Sequence, residues 1–126
     1  MKLIMSVGSI AMGGALGALL RVYISHWLIK VTSVGFPWGT FGVNMLGCLL
    51  IGACWAHFQD VARSELWVLF IMMGFLGAFT TFSTFGLEML RLWQTQQVLV
   101  AILYLLSSNI LGLMAVGLGY WARQLF

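Results

Sequence analysis

The stretch GAFTTFSTF, Gly77–Phe85, lies inside one of the most hydrophobic parts of the chain, yet it sets four hydroxyls, Thr80, Thr81, Ser83 and Thr84, among its phenylalanines. Its surroundings decide the fold class. Four runs carry no charged side chain: Leu3–Leu20, Val31–Gln59, Leu66–Leu87 and Leu92–Ala122. Each reaches the roughly 18–20 residues that cross the hydrocarbon core of a bilayer. A transmembrane strand would alternate polarity over about 10 residues, and these runs are continuously apolar. With 62% hydrophobic residues, 7% charged and a mean hydropathy of +1.03, the 126 residues cannot clothe a soluble surface. The first run resembles a secretory signal in composition, but it continues past Arg21 into Val22–Ile29 and three more spans follow, so it reads as a retained helix. The expectation is an all-α integral membrane protein, multi-pass in the cell (inner) membrane. It forms a single domain over 1–126, with helices at about 3–29, 37–57, 66–93 and 97–122.

A net charge of +3 without a basic cluster points to lipid headgroups and away from nucleic acid. Cys48 and Cys54, six apart in the second span, fall on different helix faces with no His or carboxylate beside them, and read as packing residues. No nucleotide loop or catalytic triad occurs, so the chain does not read as an enzyme. Small residues recur four apart, as Ser9, Gly13 and Gly17 in the first helix and Ser108 and Gly112 in the fourth, a spacing that lets helices approach closely in lipid. Trp27, Trp38, Trp55, Trp67, Trp93 and Trp121 fall near the span ends, as belt anchors do, and His26 and His57 read as interfacial.

The basic residues are balanced. Lys2, Arg63 and Arg123 lie on the side of the N-terminus, and Lys30, Arg91 and the helix-end Arg21 on the other, three against three. A chain with no positive-inside bias can insert both ways, and two opposite copies can pair as an inverted dimer. A single loop charge or lipid contact would otherwise set one orientation.

At a rise of about 1.5 Å per residue, GAFTTFSTF falls at the bilayer midplane. Asn44, Phe82, Phe85, Glu88 and Tyr104 then lie between the midplane and the face near Arg21, with Ser108 close to the centre. One copy supplies polar groups to half of the membrane thickness, and an inverted partner would supply the other half. The third helix, if straight, would be about 42 Å long, more than a hydrocarbon core of about 30 Å. Tilt can absorb the excess, and so can a break at the weak helix formers Gly74, Gly77, Thr80 and Thr81. A break would expose carbonyls suited to a small hard cation, and N–H and hydroxyl groups suited to an anion. An unbroken helix would instead bond its hydroxyls back to the preceding turn. Phe82 and Phe85 share a face with Phe79. Such a stripe packs against lipid or core, or offers positive ring edges to a dehydrated anion.

Three stretches carry a resemblance: GGALGALLRVY (Gly13–Tyr23), GTFGVNMLGCLLIG (Gly39–Gly52) and GFLGAFTTFSTFGLE (Gly74–Glu88), with Tyr104, Ser108 and Gly112 as a weaker match. Together they resemble the small fluoride channels of the Fluc (CrcB) family. The resemblance implies a third helix broken at its centre, an antiparallel, dual-topology homodimer, two anion paths and a structural sodium ion at the dimer centre. It implies that Phe82 and Phe85 contact fluoride, that Asn44 is a pore-facing donor, and that Ser83, Thr84, Tyr104 and Ser108 complete the polar lining. Arg21 would stand at the vestibule, and Gly77 and Thr80 would give backbone carbonyls to sodium. The implied role is passive fluoride efflux that lowers cytoplasmic fluoride and confers fluoride resistance.

Glu88, with Arg91 three residues on, reads as half of an ion pair at the membrane boundary. As a proton-coupling carboxylate it would make the chain an exporter of lipophilic cations, of the small multidrug-resistance type. Those exporters use a buried carboxylate in the first helix, and none occurs here.

Overall fold

In lipid a backbone has no water to bond, so a continuously apolar span must satisfy its own N–H and C=O groups, and the chain folds accordingly as helix. The computed structural model describes residues 1–32, 35–60 and 65–125. Helix α1 covers Lys2–Val31 and α2 covers Trp38–Asp60. The third span starts as α3 (Glu65–Val68), widens into a π-helix over Leu69–Leu76 and ends its first half as α4 (Gly77–Phe79). After a break it resumes as α5 (Phe82–Gln94), and α6 (Val98–Gln124) is the fourth span. All four spans are long and apolar enough to cross a membrane. Arg63, counted in the charge balance, and the middle of the loop before α3 lie outside the described residues.

The start of α2 follows its local chemistry. Gly35 adopts φ +116°, which a side chain would resist. Pro37 then accepts from the Phe41 N–H at 3.0 Å, opening the helix where a missing N–H costs nothing.

The helices pack as two pairs, α2 along α6 and α1 along the π-helix. Glycine makes the second pair close. A Cβ on Gly13 would strike the Phe70 carbonyl and one on Gly17 the Phe75 carbonyl, so α1 lies directly against the backbone of the third span. Where α5 meets the α2–α6 pair lies an aromatic cluster. Phe85 meets Tyr104 with ring centroids 4.9 Å apart, and Phe36 meets Tyr104 at 5.2 Å in an edge-on arrangement. Such contacts contribute about 0.5–1.5 kcal/mol each beyond simple burial. Trp38 joins this cluster through Phe36 and Phe41, so it is half-buried rather than a lipid-facing anchor. The other five tryptophans are exposed. Both cysteines are free and half-buried.

Candidate functional site

The third span breaks at Thr80–Thr81. Thr80 (φ −84°, ψ 156°) and Thr81 (φ −149°, ψ 117°) are both extended, so the helix stops at Phe79 and restarts at Phe82. The first half closes on Leu76, whose carbonyl accepts both the Thr80 N–H and the Thr80 hydroxyl at 3.1 Å.

Two extended residues in a membrane need partners from elsewhere, and Asn44 of α2 supplies them. Its Oδ1 accepts the Thr81 N–H at 2.9 Å and its Nδ2 donates to the Thr81 carbonyl at 3.3 Å. The Thr81 N–H would have served the Gly77 carbonyl in an unbroken helix, so that carbonyl loses its regular donor. Thr81 also caps α5: its hydroxyl accepts the Thr84 N–H at 3.3 Å and donates to the Thr84 hydroxyl at 3.0 Å. Ser83 Oγ lies 3.3 Å from the same oxygen. A hydroxyl has one proton and two lone pairs, and Thr81 uses all three. The Thr84 proton, one N–H of Asn44 and the Ser108 hydroxyl are left to donate elsewhere; Ser108 Oγ is buried without a partner.

These leftovers face two cavities. One, of about 330 Å³, is lined by Asn44, Gly77, Thr80, Thr81, Phe82, Phe85 and Ser108. The other, of about 400 Å³, is lined by Arg21, Ser25, His26, Thr40, Thr81 and Thr84. Thr81 belongs to both walls, so the break is the partition between them. Arg21 Nε is buried there without a hydrogen-bond partner, a donor aimed at no protein acceptor. Phe82 and Phe85 lie 5.6 Å apart but differ in setting: Phe82 is 84% exposed, whereas Phe85 packs inward against Tyr104.

Glu88 corrects its reading from sequence. It forms no ion pair with Arg91. Its Oε1 accepts from the Thr40 hydroxyl and its Oε2 from the Tyr104 hydroxyl, each at 2.7 Å. The carboxylate turns inward between α2 and α6, while Arg91 is exposed. Tyr104, expected on the polar lining, is fully buried and lines neither cavity; its ring packs behind Phe85 and its hydroxyl is spent on Glu88. Ser83 is exposed and lines neither cavity.

A model of the family described as CrcB-like protein, Camphor Resistance (CrcB), matches residues 9–120. The chain belongs to the CrcB family. Curated CrcB relatives named Fluoride-specific ion channel FluC match nearly end to end. The one from Hahella chejuensis is 47% identical over 112 residues, covering 87% of each chain. That from Acidobacterium capsulatum is 46% identical, over 87% of this chain and 89% of its own. That from Parabacteroides distasonis is 42% identical, over 85% and 84%. Within this CrcB chain the sequence reading passed over Thr40, and it named Thr81 at the break without its capping duty. Thr40 stands four residues before Asn44, one turn away on the same face of α2, and that spacing was the available signal. Thr81 occupies the position before a helix start with Thr84 three residues on, a capping pattern visible only once the break is accepted.

Proposed function

We propose that this chain forms a fluoride-selective channel that lets the ion leave the cytoplasm passively. The observation that carries the reading is the broken span, which brings unused donors and a phenylalanine edge to one cavity at the midplane. Fluoride is small and strongly hydrated, so a path must replace its water with donors instead of merely offering an opening. The free N–H of Asn44 and the Ser108 hydroxyl are such donors, and the ring edges of Phe82 and Phe85 add a weak positive field. Arg21, half-buried beside the second cavity, would draw anions to the mouth. The names carried by the relatives support the same ion. An exporter of lipophilic cations has no support, since α1 contains no carboxylate and Glu88 is held by two hydroxyls.

The functional unit in this proposal is an inverted homodimer. A phenylalanine 84% exposed at the midplane, beside a polar cavity, invites cover, and a second copy running the opposite way would bring its own Asn44 and Ser108 to the vacant half of the path. The Gly77 carbonyl, deprived of its helical donor, and the Thr80 carbonyl, turned out by an extended backbone, suit a hard monovalent cation such as sodium. Two copies would offer four oxygens. When bound, sodium would supply a fixed positive charge that ties the two breaks together and offsets anion repulsion. Gly47 lets α2 lie directly against the Thr80 methyl, where a Cβ would collide with it.

Flux from liposomes loaded with potassium fluoride or potassium chloride, read by ion-selective electrodes without a pH gradient, tests the proposal. Fluoride is expected to leave and chloride to stay, and Phe82→Ile is expected to slow fluoride by about tenfold or more, a barrier change of about 1.4 kcal/mol. Equal release of both ions, or release that requires a proton gradient, would overturn it.

A further inference from the structure

Far from the break, on the membrane side of the N-terminus, α2, α6 and the start of the third span flank a separate open cavity of about 430 Å³. Its walls are apolar, from Cys54, Phe58, Trp67 and Ile71, and its polar edge is Arg123 with His57. Arg123 reaches across from α6, placing Nε and Nη2 each 3.2 Å from His57 Nδ1. A guanidinium only donates, so Nδ1 accepts, and the contact fixes the plane of the fork. Nη1 meets no acceptor among the described residues, and no described carboxylate pairs with Arg123.

We infer that this cavity binds a membrane phospholipid, its phosphodiester on Arg123 and an acyl chain along Phe58, Trp67 and Ile71. Depth selects the ligand. Arg123 is in the last turn of α6 and Trp67 in the first turn of the third span, so the cation stands at headgroup level and the apolar walls run inward from it. A guanidinium held in plane presents paired donors to a phosphate better than a flexible ammonium would. A second copy is not the occupant. The cavity uses the Cys54–His57–Phe58 side of α2, roughly a quarter of a turn from the side of Asn44, which borders the path that the partner would complete. This cavity shares no lining residue with the two at the break, and a lipid would bind it whether or not the chain conducts fluoride.

Native mass spectrometry of the purified full chain in detergent tests it, with phosphatidylglycerol, the phosphate-free digalactosyldiacylglycerol, and inorganic phosphate as probes. Phosphatidylglycerol is expected to be retained about tenfold more tightly than the glycolipid. Arg123→Gln is expected to bring the two lipids level, and Arg123→Lys to fall between. Retention unchanged in Arg123→Gln, or glycolipid bound as tightly as phospholipid, would overturn the inference. So would displacement of the lipid by millimolar inorganic phosphate, which would mark a free-anion site instead. If Arg123→Gln fails to fold, the comparison of the three probes on the unaltered chain decides alone.

Discussion

Asn44 is the residue on which the site's geometry turns. Its amide satisfies both backbone groups of Thr81, and no other described side chain does so. Asn44→Ala orphans an N–H and a C=O at membrane depth and is expected to cost about 2–4 kcal/mol of stability, measured by unfolding in detergent. Tyr104→Phe strips one oxygen of Glu88 and is expected to cost about 1–3 kcal/mol. That cost should shrink sharply in a Glu88→Gln background, because a neutral amide left without a donor is penalised less than a carboxylate. A double-mutant cycle measures the coupling. Polar side chains inside a span are legible from sequence because so few occur. Their partners are not. Nothing in the spacing of Thr40, Glu88 and Tyr104 announces a shared carboxylate, whereas Arg91, three residues from Glu88, offers a nearer and misleading choice. Asn44 was similarly legible as a polar group within the second span, but its bonds to Thr81 depend on where α2 crosses the third span.

The broken span is the element that sets the path. Its centre was legible in Gly77–Phe85, where poor helix formers and hydroxyls coincide. The first half was not. A π-helix over Leu69–Leu76 leaves no periodic trace in residues that are apolar on every side. The tight face of α1 holds that half in place: Gly17 has the Phe75 backbone where its Cβ would be. Gly17→Ala therefore forces two helices apart and is expected to destabilise by about 1–3 kcal/mol. Gly117→Ala, on an open face of α6, should leave stability nearly unchanged in the same unfolding assay. The contrast separates close packing from a general preference for glycine.

A single copy leaves a large surface uncovered. Its accessible area is 8412 Å², against about 6,700 Å² that size scaling gives a compact soluble chain of 14.0 kDa. Lipid accepts the apolar part of that excess, as at Leu113 and Met12, but not a cavity lined with hydroxyls and an amide at the midplane. The balance of basic residues was the sequence's clearest statement about the whole molecule, and it concerns insertion, which one copy cannot display. An inverted pair requires that copies insert in both directions. A single cysteine introduced as Gln124→Cys, at the exposed end of α6 where it leaves every basic residue in place, in a background with Cys48 and Cys54 changed to Ala, can be labelled from outside intact cells with a membrane-impermeant maleimide. Labelling of about half the molecules, rising to all of them after permeabilisation, is the expected result. Labelling of all or none before permeabilisation would contradict the inverted pair and the completed path with it.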